Sequence, residues 1–219
     1  MRAAARGLLG EIQPGLEPET LLQAADLLNL ARNGSLIYPN QLVGPVLVDF
    51  CLFNMLRKGK NAIQAYAEAK ANAGAGLEGA AKEVLEGMLN ARYSIIGITE
   101  VTPGKLIKAR DLYYERNIEI YDEGLAVSAQ RGLVLATRLV PLGDFDMLAG
   151  GALPITMEVA FWLVRSLRPL LGKNWLRNVG SLGPEKRRDM VVHIIRQAIT
   201  TGALKRIRYD KEDAAAAAD

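Results

Sequence analysis

Residues 94–101 read SIIGITEV, a β-branched run that is followed by a Thr-Pro-Gly turn at residues 102–104. β-Branched residues favour strands, and a Pro-Gly pair is a typical strand exit. The segment NIEIYD (Asn117–Asp122) alternates more cleanly and places Ile118 and Ile120 on one face. Strands are predicted over residues 94–101, 106–114, 117–122, 133–142 and 145–151. Five strands with short connections in about sixty residues predict a compact antiparallel sheet or barrel, which hides its edges by closing on itself.

The segments on either side of this β module have apolar residues at helical spacing. In the first segment, we interpret Asn33 and Gly34 as the stop of a helix that begins at Pro18, and Asn40 as the cap of the next helix. In the second segment, Pro154 is expected to open a helix. Helices are predicted over residues 18–34, 40–56, 61–73, 77–93, 154–167 and 185–200, followed by a short strand over 205–210.

These elements predict an α+β protein with three structured parts. Residues 1–92 form a helical N-terminal part, and residues 93–152 form a compact antiparallel β-sheet or barrel of about five strands. Residues 153–208 form a basic helical C-terminal part. The tail, residues 209–219, is acidic, rich in alanine and low in complexity, so we expect it to be disordered.

Composition restricts the class of protein. The chain has 219 residues, of which 50% are hydrophobic and 23% are charged, as in an ordinary globular protein. Its longest apolar runs, residues 42–56 and 155–164, are shorter than the roughly 20 residues that a membrane span needs. The N-terminus has too short an apolar run for an export signal, and a single cysteine fits a reducing compartment. We therefore expect a cytoplasmic protein without a membrane partner.

Short motifs in the β module carry a family resemblance. A strand ends in Glu100-Val101, a second strand carries Asp111-Leu112, and Arg131-Gly132 precedes the run TRLVP at residues 137–141. Over about residues 50–152 this order resembles the small β module of uncharacterised bacterial proteins that often carry a zinc-chelating SEC-C tail. One cysteine and one histidine cannot build that cysteine-rich tail. The resemblance therefore implies no zinc site, no cofactor and no activity for this chain.

Charge is concentrated in the C-terminal part. Residues 151–208 carry eleven basic and three acidic side chains, a local net charge of +8, whereas residues 1–92 are balanced at nine of each. Such a cluster could supply several salt-sensitive phosphate contacts, and Trp175 and Tyr209 could stack on unpaired bases. The plainer alternative is a solvated helical face that the acidic tail screens. The candidate nucleic-acid-binding residues are Lys173, Arg177, Lys186, Arg187, Arg188, Arg196, Lys205, Arg206 and Arg208.

Few side chains suggest catalysis. His193 is the only histidine, and Asp189 lies four residues before it, so the two would share a helix face and could form an oriented imidazole. Most such pairs are ordinary helix surface. Cys51 lies in an apolar run, where an inert core thiol is expected rather than a nucleophile. No catalytic, metal or cofactor site is predicted.

Two carboxylates lie in apolar helical runs, Asp49 and Glu158. A buried carboxylate must find a partner or stay protonated. Arg165 follows Glu158 by seven residues and lies on the same helical face, so we favour an internal ion pair or a bond to the barrel over an active site.

Three functions remain open from the sequence. The first is a non-enzymatic binding protein whose basic C-terminal helices contact nucleic acid or an acidic surface. The second is a protein-interaction or structural subunit that docks a protein partner or a further copy of itself through apolar helices. The third is an enzyme of unknown reaction. Charge reversal at Lys186, Arg187 and Arg188 is expected to weaken binding without unfolding the protein only in the first case.

Overall fold

The computed structural model describes residues 1–37, 43–74, 76–102, 106–171 and 182–206, and for residues 168–171 and 206 it describes only the backbone. These residues form nine α-helices, a turn of 3-10 helix, a small hairpin and a closed five-stranded barrel, which confirms the α+β class. The helices are α1 (Arg2–Ile12), α2 (Pro18–Leu27), α3 (Val43–Asn54), α4 (Ala62–Asn72), α5 (Gly79–Leu89), α6 (Glu123–Ser128), α7 (Met157–Leu171), α8 (Pro184–Thr200) and α9 (Ala203–Arg206). The strands are β1 (Ala31–Arg32), β2 (Ser35–Leu36), β3 (Arg92–Thr102), β4 (Leu106–Asp111), β5 (Arg116–Ile120), β6 (Val134–Leu142) and β7 (Phe145–Ile155).

The barrel has the strand order β3-β4-β5-β7-β6 and closes between β6 and β3. All five predicted strands are present, but the fully antiparallel arrangement is wrong, because β5 and β7 pair in parallel through Ile120 and Asp146. The other four pairs are antiparallel. Five is an odd number, so a closed ring of five strands cannot alternate in direction at every pair. One parallel contact is therefore unavoidable once the sheet closes.

The barrel interior is filled by side chains that alternate along the strands. On β3, Ile96 and Ile98 point inward, whereas Tyr93 and Ile95 point outward and pack against helices. Helices α2, α3, α7 and α8 share one buried cluster with the outer faces of β3, β6 and β7. Helices α1, α3, α4 and α5 share a second cluster with β6 and β7. The outer face of the β4–β5 hairpin, in contrast, carries exposed side chains at residues 108, 110, 117 and 119.

The end of α2 differs from the prediction. The helix ends at Leu27 rather than at Gly34, and residues 31–36 form the β1–β2 hairpin. Its turn residues Asn33 and Gly34 have φ angles of 53° and 73°. Asn-Gly favours a two-residue hairpin turn in which both residues have positive φ, and this preference prevails over the helical stop.

The start of α7 also differs from the prediction. Pro154 lies within β7, paired with Leu135, and the helix begins at Met157. The residue before the helix is Thr156, whose Oγ1 accepts a hydrogen bond from the N–H of Val159 (3.3 Å). A threonine hydroxyl satisfies a free helical N–H, which proline cannot do.

The remaining sequence predictions have mixed outcomes. Helices α1 and α6 were not expected from the sequence. Lys205 and Arg206 are helical rather than extended, while the rest of the predicted 205–210 strand, the cap at Asn40 and the 209–219 tail lie outside the described residues. No helix within the described ranges is long and apolar enough to cross a membrane.

Candidate nucleic-acid interface

The described residues include the side chains of five of the nine predicted basic residues. Lys186, Arg187, Arg188 and Arg196 lie on α8, and Lys205 is exposed on α9. Arg206 is the last residue of α9, and only its backbone is described. Lys173, Arg177 and Arg208 fall outside the described residues.

The basic residues of α8 point in different directions, because consecutive helical positions lie about 100° apart. The guanidinium of Arg188 pairs with Asp189 (2.9 Å). Arg196 lies about 12 Å further along the helix, where its Nη2 donates to Asn29 Oδ1 (2.8 Å) just after α2. Arg196 therefore joins two helices, and its guanidinium is already used within the fold.

The first two turns of α8 contact the turn between β4 and β5. Tyr113, which is fully buried, donates a hydrogen bond from its hydroxyl to Met190 Sδ (2.9 Å). At the start of the helix, Arg187 Nε donates to the carbonyl oxygen of Leu182 (2.9 Å). The Tyr113–Met190 contact fixes the basic end of α8 against the barrel, whereas the Arg187 bond stays within the start of the helix.

Two guanidinium groups lie near the ring of Tyr114. The carbon of the Arg116 guanidinium is 5.7 Å from the ring centroid, and that of Arg92 is 5.8 Å away. Burial raises the pKa of Tyr114 to about 12, while the charges of Arg92, Arg116 and Arg187 oppose this increase. Lys186 and Arg187 lie four and three positions before Met190, which contacts Tyr113, so both lie on the side of α8 that meets this turn. We call Tyr114, Arg116, Lys186 and Arg187 the Arg–Tyr surface.

A buried polar network at one end of the barrel holds this turn in place. Arg92 donates to both carboxylate oxygens of Asp146 (2.9 and 2.7 Å) and lies 3.6 Å from Asp111. Asp111 Oδ1 accepts hydrogen bonds from Ser94 (2.5 Å) and from the backbone N–H groups of the next turn (3.2 and 3.0 Å). Burial raises the pKa of Asp111, and its hydrogen bond from Ser94 opposes that shift. The network fixes the backbone that positions Tyr114.

The outer face of the β4–β5 hairpin is mixed in charge. Lys108 pairs with Glu100 of β3 (3.1 Å). Arg110 donates to Asn117 Oδ1 (3.3 Å) in the neighbouring strand. Exposed ion pairs of this kind contribute little to stability. The hairpin therefore adds polar groups beside the Arg–Tyr surface but no large excess of positive charge.

A second buried network joins α3 to β6. Arg138 Nε donates to both oxygens of Asp49 (3.0 and 2.9 Å), and its Nη2 donates to Asn54 Oδ1 (2.5 Å). Phe53 and Tyr93 flank the guanidinium, with ring centroids 4.3 and 5.3 Å from its carbon. Burial raises the pKa of Asp49, and the charge of Arg138 opposes this shift. The prediction that a buried Asp49 needs a partner is confirmed.

The prediction for Glu158 is wrong. Its side chain is exposed on α7, and the described residues contain no ion pair between Glu158 and Arg165. The apolar side chains of this part of α7 lie on both faces of the helix, so the apolar run alone could not show which side was buried. Glu158 lies on the solvent side.

Residues 1–174 match the model of a family described as Family of unknown function (DUF7986). The chain belongs to this family. The matched segment includes the barrel and ends after α7, so α8 with its basic residues lies beyond it. Comparison with curated proteins and with solved structures finds no match. The resemblance to proteins with SEC-C tails stays a prediction.

In this DUF7986 protein, Asp189 and His193 do not form a pair. Asp189 is bound to Arg188, and His193 Nε2 lies 3.2 Å from Ser166 Oγ. Because the Ser166 hydroxyl donates to the Leu163 carbonyl oxygen (2.9 Å), we assign the proton of this contact to His193 Nε2. The imidazole is thereby fixed between α7 and α8, and its contacts are structural.

The pH dependence of unfolding is expected to report on His193. Burial lowers the pKa of this imidazole from its usual value of 6.5. The unfolded chain then binds the proton more readily, so stability is fully present above about pH 6.5 and decreases as the pH falls below that value. Urea unfolding at pH 7.5 and 5.5 checks this. A His193→Gln variant should lose less stability between the two values than the wild type, and an equal loss would contradict this role.

The N-terminal helices of the DUF7986 protein border two clefts, the second of which also adjoins β7. The larger, of about 490 Å³, has Leu16, Cys51 and Met55 among its apolar lining residues. At its rim Arg57 pairs with Glu17 (2.5 Å), and burial raises the pKa of Cys51 to about 12, which favours the protonated thiol. The smaller cleft, of about 340 Å³, borders the buried Asp49 network.

Within the part of the chain that the structure describes, no three His, Cys, Asp or Glu side chains lie close enough together to hold a metal ion.

Sequence reasoning missed the barrel residues that complete these arrangements. Arg138 is the one charged residue in the apolar run of β6. A single charge in such a strand indicates a buried side chain, and it could have been proposed as the partner of Asp49. Tyr114 and Arg116 lie in the turn YYER (residues 113–116), whose residue pattern does not indicate a binding site. Only the packing of α8 on the barrel brings this turn close to the basic start of the helix.

Proposed function

We propose that this protein is a non-enzymatic nucleic-acid-binding protein that contacts the phosphate backbone through its Arg–Tyr surface. The observation that carries the proposal is that the Tyr113–Met190 contact docks the basic end of α8 against the turn where Arg116 lies 5.7 Å from the Tyr114 ring. Two elements far apart in sequence thus contribute cations to one place. Paired guanidinium groups suit phosphate, since arginine presents several N–H donors in a fixed geometry.

The topology of the barrel supports the proposal by analogy of fold. Counted along the chain, its five strands follow the order first, second, third, fifth, fourth, with a helix between the third and the fourth. OB-folds are five-stranded Greek-key barrels that bind oligonucleotides on the face of their second and third strands. The second and third strands here are β4 and β5, whose turn carries Tyr114. The contacts of Arg116 and α8 at this turn carry the proposal, and the topology supports it.

The chemistry of the surface favours recognition of backbone rather than of sequence. Arg116, Lys186 and Arg187 are exposed cations, while the Tyr114 ring is half-buried and covered by guanidinium groups. Phosphate contacts supply sequence-independent affinity that falls steeply with salt. We therefore propose weak, salt-sensitive binding with little base preference.

The single, buried Cys51 fits the reducing cytoplasm as the compartment.

Charge reversal tests which cations make the contacts. A Lys186→Glu/Arg187→Glu double variant and an Arg116→Glu single variant should each weaken binding to a labelled oligonucleotide. The double variant should bind at least about tenfold more weakly at low salt and should lower the salt slope by about one for each lost contact. The measurement is fluorescence anisotropy with matched single-stranded DNA, duplex DNA and RNA.

The matched control is Arg6→Glu/Lys82→Glu, which reverses one arginine and one lysine on exposed positions of α1 and α5. It makes the same change in net charge, so a purely long-range effect would weaken binding as much as the α8 variant does. Equal losses in the two double variants would count against the Arg–Tyr surface. Polyglutamate serves as a competitor to distinguish nucleic acid from an acidic protein as the ligand. If polyglutamate competes as well as an oligonucleotide of equal total charge, the ligand is an acidic protein surface.

A further inference from the structure

Helix α7 has a solvent face that is unusually apolar. Its buried side consists of Ala160, Leu163, Val164 and Leu167, which pack into the core. On the opposite side Met157, Phe161 and Trp162 are 41%, 64% and 49% exposed, and one edge of this side is set by the contact of the Trp162 ring with His193 of α8 (5.6 Å between centroids). Together with exposed Glu158 and Arg165 they cover one continuous arc of the helix, since residues three and four apart are neighbours. We call these five residues the α7 face.

Single exposed apolar residues are common, but a group of this composition is not. Tryptophan, phenylalanine, methionine and arginine are the residues enriched at the centres of protein interfaces. The α7 face carries all four types within nine residues of sequence. Its composition therefore indicates a surface that a protein covers.

The charges of the α7 face indicate what kind of protein covers it. Glu158 lies three positions before Phe161, and Arg165 lies three positions after Trp162, so the opposite charges are placed symmetrically about the aromatic pair. Neither side chain forms an ion pair with the residues that the structure describes. An isologous interface requires a surface that complements itself when rotated by 180°. The charges of the α7 face meet this requirement.

We propose that the α7 face binds a second copy of this chain, with the two α7 helices antiparallel about a two-fold axis between Phe161 and Trp162. In this arrangement Glu158 of each copy lies opposite Arg165 of the other, and the aromatic side chains of the two copies pack at the centre. Antiparallel helices pack with axes about 8–10 Å apart, which suits side chains of this size. This proposal does not depend on nucleic-acid binding, and either one can fail alone.

The test is a charge swap followed by sedimentation velocity or light scattering over a concentration series of about 1–100 µM, a range in which specific interfaces associate. The wild type should dimerise. Glu158→Arg and Arg165→Glu should each weaken the dimer at least about tenfold, because like charges then meet at both symmetric positions. The double variant Glu158→Arg/Arg165→Glu should recover most of the lost affinity, since the opposite charges face each other again.

The control is Glu185→Arg, because Glu185 is the second residue of α8 just as Glu158 is the second residue of α7. It changes the same charge at the same helical position away from the α7 face and should leave dimerisation unchanged. Circular dichroism melts of every variant establish that the fold is retained. A wild type that is monomeric at every concentration overturns the proposal. So does a dimer in which the double variant is no tighter than the single ones.

Discussion

Replacing Asp49 with alanine should lower the free energy of unfolding by about 3–5 kcal/mol, the range measured when one partner of a buried ion pair is removed. Asp49 and Arg138 are 4% and 3% exposed, so the guanidinium left behind would be buried without its counter-charge. Asn54 would remain as an acceptor, but an amide oxygen does not neutralise a charge. Urea denaturation monitored by circular dichroism measures the effect.

The control for Asp49→Ala is the double variant Asp49→Ala/Arg138→Met. Methionine matches the length of the arginine stem and carries no charge, so the double variant should be more stable than Asp49→Ala alone. This order is expected because a buried pair can often be replaced by apolar groups at little cost. A double variant that loses the sum of the two single effects would mean that Asp49 and Arg138 act independently, contrary to their contact.

The second large effect is expected at Gly150, where β7 passes beneath α3. A β-carbon at this position would overlap the side chain of Asp49, and the residue has a φ of +66°. Gly150→Ala should therefore destabilise the protein by about 3 kcal/mol or more, since overpacking and left-handed strain each cost roughly 1–3 kcal/mol. The midpoint of urea unfolding reports this loss.

Gly143 provides the matched control, because it has a φ of +59° and open space where an alanine methyl group would lie. It is in the turn between β6 and β7, so the same substitution there measures the conformational cost alone. We expect Gly143→Ala to cost about 1 kcal/mol. Equal effects at the two glycines would show that the approach of α3 to β7 is not tightly packed.

The sequence predicted the barrel because each strand had a local signal. Ser94–Val101 is β-branched, and Asn117–Asp122 alternates between apolar and polar residues, so strand positions followed from periodicity. The parallel pairing of β5 with β7 could not be read in this way, because the direction of a pair depends on how the sheet closes. The same limit applies to Asn33-Gly34, where two local preferences competed and the hairpin prevailed.

The candidate interface was predictable only in part. The excess of basic residues after Gly150 is a property of composition, and it identified Lys186 and Arg187. The contributions of Tyr114 and Arg116 depend on the docking of α8 against the barrel, a contact between segments about seventy residues apart. For Arg196 the sequence suggested a binding role, whereas the structure shows its guanidinium bonded to Asn29.

The two proposed surfaces lie on different elements and can be changed by separate substitutions. The Arg–Tyr surface uses the start of α8 and the β4–β5 turn, and the α7 face uses the solvent side of α7. A dimer would present two Arg–Tyr surfaces, and binding of one nucleic acid by both would raise the apparent affinity without new contacts. Substitutions that break the dimer should then weaken binding to long oligonucleotides more than binding to short ones.

The most direct test of nucleic-acid binding is the salt dependence of affinity for the wild-type protein. Fluorescence anisotropy with a labelled single-stranded 20-mer, measured between about 25 and 300 mM salt, gives the slope of log K against log salt. Contacts from Arg116, Lys186 and Arg187 predict a slope of about −2 on single strands and about −3 on duplex DNA. Absence of binding at the lowest salt, or affinity that does not change with salt, would contradict the proposed function.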